Sequence, residues 1–140
     1  MAHPDLNKML DAMLPLAKRM LAEYGEFFPY GAYMKPDGTI VDCGVAGKNE
    51  RPPSKELIEI LTEDFKERVS RNEIRAAGIC CDVKVATPEK PEKIDAVQFC
   101  LEHQSGEAVD VFLPYDLDSA GEVKYGELFA SRRDKQFFHQ

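Results

Sequence analysis

The chain has 140 residues, with 18 Lys plus Arg against 25 Asp plus Glu and a formal net charge of −7. That is about one domain, and a domain of this length removes roughly 68–70% of its unfolded surface from water, so it needs neither disulfide nor structural metal to stay folded. An acidic surface repels phosphate backbones, and no segregated basic patch is visible in the sequence, so nucleic acid is not an expected partner. The longest apolar run, Ala76 to Cys81, is six residues, against the roughly 18 that cross a bilayer. The start Met1-Ala2-His3-Pro4-Asp5 has no basic leader, so a cytoplasmic address with no membrane partner is expected.

From Leu6 to Tyr24 the residues Leu6, Met9, Leu10, Met13, Leu14, Ala17, Met20, Leu21 and Tyr24 recur at steps of three and four, which predicts one helix with an apolar face. Pro15 lacks an amide hydrogen and clashes with the preceding turn, so a kink is expected there, and Gly25 is a natural stop. Phe27–Met34 and Thr39–Cys43 flank Lys35-Pro36-Asp37-Gly38, where proline presets φ and glycine offers a left-handed position; this predicts a β-hairpin. Val45–Pro53 reads as a loop. Ser54 opens a second helix with Leu57, Ile58, Leu61, Phe65 and Val69 on one face, Glu56 near its positive end and Asn72 as its stop.

The period then changes to alternation. Ala77, Ile79, Cys81, Val83 and Val85 are spaced by two, as are Val97, Phe99 and Leu101, and then Val109, Val111 and Leu113. Thr87–Lys93 is a charged, proline-bearing loop, Gln104–Glu107 a turn, and Val123–Phe129 a shorter strand. The expected fold is α+β: a single antiparallel sheet of about five to six strands in the order α-β-β-α-β-β-β, with an optional last strand. The helices are expected on a single face. Residues 1–140 form one domain, with 1–4 and 131–140 as flexible ends.

Cys43, Cys80, Cys81 and Cys100 have no Cys-x-x-Cys spacing, and adjacent Cys80 and Cys81 point to opposite faces, so they cannot clamp one zinc. Four small apolar residues are expected; Cys43, at a strand end before a loop, is the candidate if one thiol is reactive. His3 and His139 lie at the chain ends, and His103 stands at an odd spacing from Cys100, which puts the two on opposite sheet faces. Gly44–Lys48 resembles part of a phosphate-binding loop but has Asp42 and Asn49 at two required positions. Counted from Asp116, the residues Asp118, Gly121, Val123 and Glu127 fall at calcium-loop positions, but Ala120 replaces a ligand and a strand ending in Pro114 stands where a helix is needed. An acidic turn between strands is expected instead. No catalytic residue, cofactor or metal is assigned.

Phe28-Pro29-Tyr30 and Leu113-Pro114-Tyr115 each place a tyrosine after a proline that must lie at a strand edge or end. If Tyr30, Tyr33 and Tyr115 converge, with Asp116 and Asp118 as a rim, they form a docking surface; the competing reading makes the rings core residues beneath the helices. The segments Phe27–Ala32, Asp37-Gly38, Val111–Tyr115 and Tyr125–Phe129 resemble landmarks of a family of small uncharacterised bacterial proteins. The likeness implies a bacterial, intracellular single-domain protein and carries over no site residue. Element order also resembles that of profilin-like modules such as PAS, GAF and roadblock domains, as fold analogy alone. The leading functional expectation is a non-enzymatic interaction module, one form being an immunity-type protein that neutralises a basic partner. A ligand-sensing domain with a pocket between sheet and helices is the alternative, and a small thiol- or carboxylate-dependent enzyme the third. A homodimer through a sheet edge is a further expected assembly.

Overall fold

The computed structural model describes residues 3–25, 29–43, 54–86, 92–132 and 134–138. Phe27, Phe28, the Gly44–Lys48 segment and His139 lie outside the described residues. The elements are α1 (Pro4–Tyr24), β1 (Tyr30–Met34), β2 (Ile40–Cys43), α2 (Ser54–Ser70), β3 (Ala76–Val85), β4 (Ile94–His103), β5 (Ala108–Leu117), β6 (Val123–Tyr125) and β7 (Phe129–Arg132).

α1 begins where His3 accepts the Asp5 amide on Nδ1 at 3.1 Å and Pro4 fills the first helical position, where its missing donor costs nothing. It runs through Pro15 without interruption and ends at Gly25, whose φ of +74° lets its N–H close on the Leu21 carbonyl. The hairpin of β1 and β2 turns on Gly38 at φ +95°, with the Asp37 carboxylate accepting the Thr39 amide at 2.9 Å. α2 starts at Ser54, and Asn72 takes a positive φ of 57° just beyond its end.

All strand pairs are antiparallel, and the sheet order is β2-β1-β3-β4-β5-β6, with β7 also paired to β5. Among the described residues the count is seven strands, above the expected five to six because the last predicted strand is two. Phe112 pairs with Phe129 and Tyr115 with Tyr125, so 126–128 must span what Leu113 and Pro114 span on β5. Pro114 has no N–H to give, and its carbonyl accepts from Gly126 at 2.9 Å. A proline opposite an extra residue is a β-bulge, and it splits one edge strand into β6 and β7.

The helices lie on opposite faces of the sheet, which corrects the expectation of a single covered face. Leu6, Met9, Met13, Ala17 and Leu21 of α1 meet Tyr30, Ala32, Met34, Cys80, Phe99 and Leu101, while Leu61 and Phe65 of α2 meet Tyr33, Ala77, Ile79 and Cys81. β1 and β3 are buried on both sides because their residues are small or apolar at odd and even positions alike. Gly31 and Gly78 permit this: a Cβ on Gly31 would fall 2.8 Å from Phe65 Cζ, and one on Gly78 2.7 Å from Leu101 Cδ2.

The segment 131–140, expected to be a flexible end, contributes Ser131 and Arg132 to β7 and returns Phe137 and Phe138 to the α2-side core. At the other end, His3 and Pro4, expected to be flexible as well, start α1.

Candidate interaction surface

The five residues singled out from sequence do not form one surface. Tyr30, Tyr33 and Tyr115 are buried, at 6%, 8% and 7% exposure. Tyr30 lies beneath α1, where its hydroxyl donates to the Met13 carbonyl at 2.6 Å. Burial beside Cys80 holds that phenol protonated well above its ordinary range. Tyr33 faces the other way, edge-on to Phe65 at 6.4 Å with the Arg68 guanidinium 4.6 Å above its ring. Tyr115 is on the α1 face of β5, three strand spacings of about 4.8 Å from Tyr30's strand, and its hydroxyl donates to Asp82 at 2.5 Å. These rings are core aromatics.

Asp116 is exposed and Asp118 half-exposed. Asp118 Oδ1 accepts the Ala120 and Glu122 amides, both at 2.9 Å, while Gly121 takes φ +83° and donates to the Asp118 carbonyl. The acidic segment is thus the turn of the β5–β6 hairpin, as the strand context predicts, and the Asp118 carboxylate organises that turn.

Beside this hairpin the ends of β4, β5 and β6 enclose an open cleft of about 520 Å³ whose walls include Lys93, Asp95, Tyr115, Asp116, Lys124 and Tyr125. It is built from strand ends alone, so it is not the pocket between sheet and helices that the sequence suggests as an alternative. Asp95 pairs with Lys84 at 3.3 Å, Lys124 faces Asp116 across the ladder, and Lys18 of α1 stands 4.9 Å over the Tyr125 ring. Burial raises the Tyr125 phenol, which stays neutral. Close in sequence to these walls, Leu117 is 39% and Leu128 48% exposed. Leu117 also reaches Gly25 at the end of α1, where Tyr24 is 71% exposed. Segments 93–95 and 114–128 carry five carboxylates against two lysines. The periodic stripe predicted Tyr24 to be on the buried face, but its ring stands in water.

A second polar centre joins the start of α1 to the opposite end of the sheet. Asp5 Oδ2 lies 2.8 Å from His103 Nε2 and 3.3 Å from Arg75 Nε, and Oδ1 is 3.3 Å from Arg75 Nη2. These partners, the His103 hydrogen bond foremost, hold the Asp5 carboxyl below its ordinary value. His3 stacks on His103 with ring centroids 3.7 Å apart, and its amide donates to Glu107. The ligand atoms of His3, Asp5 and His103 lie within 4.8 Å of one another, a spacing a cation could use. The hydrogen bonds oppose it. His103 Nδ1 accepts the Ser105 amide at 3.0 Å, so the ring proton sits on Nε2 and is donated to Asp5. A cation at Nε2 would force that proton onto Nδ1, against another donor, while Arg75 already covers both carboxylate oxygens. The same bonds leave His103 no free nitrogen for acid–base work, and the centre acts as a clamp. His3-Pro4-Asp5 is legible in sequence as a helix start, whereas Arg75 and His103 stand 70 and 98 positions from Asp5 and no local spacing announces them.

The four cysteines are free thiols. Cys80 joins the α1-side core and Cys81 the α2-side core, as their adjacency requires. Burial pushes the thiols of Cys43 and Cys80 up, which favours the protonated, unreactive form. His103 and Cys100 point to opposite faces, their ladder partners being Ala76 and Ile79. Compared with protein-family models, with curated proteins and with solved structures, the chain matches none.

Proposed function

We propose that the protein is a non-enzymatic interaction module of the bacterial cytoplasm that docks a basic protein partner on the β5–β6 end of its sheet; an immunity-type protein neutralising a basic toxin is one form of this activity. The observation that carries the reading is the cleft walled by Tyr115 and Tyr125, with exposed Leu117 and Leu128 close to its walls in sequence, exposed Tyr24 beside the Gly25 that Leu117 reaches, and an excess of carboxylates. An apolar anchor surrounded by charge is the usual anatomy of a docking surface. A partner's Arg or Lys side chain entering the cleft meets tyrosine rings and the carboxylates of Asp95 and Asp116, so cation–π and charge attraction act on one group. The acidic rim serves the encounter rate more than the final affinity.

The test is capture of partners from lysate by the wild-type chain, followed by calorimetry on the purified partner with Leu117→Glu and with Glu122→Lys combined with Asp116→Lys. Leu117→Glu should weaken binding at least tenfold. The charge reversals should slow association and flatten its salt dependence. Unchanged affinity in both variants, with folding intact, would refute the proposal. The cleft volume also lies within the roughly 300–1,000 Å³ of small-molecule sites, which supports small-ligand binding as the second reading. A thermal shift with a small-molecule library, abolished by Tyr125→Ala, separates it from protein docking.

A further inference from the structure

The β4–β5 ladder stops short of the ends of both strands. Its last rung is Ala96 opposite Pro114, yet β4 stays paired to β3 through Asp95–Lys84 and Ile94–Val85, and β5 stays paired to β6 through Tyr115–Tyr125, Asp116–Lys124 and Leu117–Val123. The sheet therefore forks at Pro114, where the bulge bends β5 away from its neighbour, and the cleft of about 520 Å³ lies in the fork. Its walls come from both faces of the sheet: Tyr115 and Tyr125 pack on the α1 side, while Asp116 and Lys124, one position along each strand, point to the other. The cleft thus opens in the plane of the sheet. Main-chain groups face it too. The Pro114 carbonyl accepts from Gly126 and the Asp118 amide donates to the Glu122 carbonyl, so Pro114, Asp116 and Asp118 turn their main-chain groups toward β6, and Leu117 turns its N–H and C=O the opposite way, into the fork.

We propose, resting on the docking function above, that the partner enters this fork as an extended, basic segment: an added strand on β5 in the place β4 leaves open, with an Arg or Lys beside Asp116 and an apolar residue beside Leu117. A strand lying in the plane of the sheet is the occupant that meets these walls together. Its main chain bonds to Leu117, and its successive side chains fall on alternate faces, so one reaches the exposed Asp116 carboxylate and the next the 39% exposed Leu117 side chain. Segments 93–95 and 114–128 hold five carboxylates against two lysines, a balance that selects a basic segment.

The probe is a capped hexapeptide of alternating arginine and valine, titrated into the full chain and followed by calorimetry and by the amide shifts of Asp116 and Leu117. It should bind, and N-methylation of one alternate set of its amides should weaken binding at least about tenfold, while methylation of the other set, facing away from β5, should leave it nearly unchanged. Equal effects of the two sets would overturn the added strand, as would absence of binding. Spermidine carries the same number of positive charges without a peptide backbone and should bind at least about tenfold more weakly than the hexapeptide; equal affinity would overturn the strand while leaving an acidic docking surface in place. Asp116→Asn, at an exposed position, should weaken the hexapeptide about threefold or more, and unchanged affinity would overturn the assignment to the fork. Failure of the docking function itself shows separately, as partner binding indifferent to Leu117→Glu and to the charge reversals.

Discussion

The carboxylate of Glu102 and the amide of Phe137 meet at 2.9 Å across 35 positions of sequence, and through them the returning chain is seated on β4, a strand with neighbours on both sides. By its alternation Glu102 reads as an outward residue of a half-buried strand, yet it is fully buried. The reason is the second covered face: a position that would point to water in a two-layer fold points here into the space under α2 and the returning chain. A carboxylate in such a place is stable only because backbone donors surround it.

This arrangement makes Phe137 a core residue. Phe137→Ala should reduce stability by about 3–5 kcal/mol, because the ring is 2% exposed and packs edge-on against Phe65. Phe99→Ala, in the middle of β4, should cost about the same. Urea unfolding of both variants checks this, and a loss within about 0.5 kcal/mol for Phe137→Ala would show that the returning chain contributes nothing to the core.

The Asp5 clamp has a signature in acid. Its carboxyl is held below the ordinary 3.8, first by the hydrogen bond from His103 and then by the Arg75 charge. A depressed value in the folded state gives stability that is fully present above the unfolded value and disappears as pH falls through the folded one. Asp5→Asn should therefore lower the melting temperature by on the order of 3 °C at neutral pH. The difference from wild type should hold down to about pH 4 and close below it; a difference that widened in acid would contradict the assignment.

At Gly78 of β3, side chains from α1 and from the neighbouring β4 close over the backbone. A Cβ there would stand 2.7 Å from Leu101 Cδ2 and 3.1 Å from Met13 Sδ, both in the packed α1-side core. Gly78→Ala should cost about 1–3 kcal/mol through overpacking, and Leu101→Val in the same chain should recover part of it by shortening the blocking side chain. Thermal denaturation of the single and double variants measures this, and additive losses would refute the steric cause.

Along α1 the boundary of the core is expected at its last turn. Leu21 is 1% exposed and Tyr24 71%, although both continue the same stripe. Leu21→Ala should cost about 2–5 kcal/mol and Tyr24→Ala within about 0.5 kcal/mol. If Tyr24→Ala proved as costly in chemical denaturation, the exposed ring could not belong to the proposed docking surface.

What the sequence by itself determined is local. Steps of three and four placed α1 and α2, steps of two placed β3, β4 and β5, and Pro36-Asp37-Gly38 placed the hairpin turn, because periodicity and turn chemistry act over a few neighbouring residues. The acidic β5–β6 turn was legible for the same reason. The tertiary structure alone decided which side of the sheet each helix covers: β1 and β3 carry small or apolar residues on both faces, and a strand of that kind fits either arrangement until the helices choose. It also drew Tyr30, Tyr33 and Tyr115 inside, joined Asp5 to Arg75 and His103, and seated Phe137 on Glu102. Each of these depends on groups tens of positions apart, whose meeting is set by how layers close over the sheet and by no spacing along the chain.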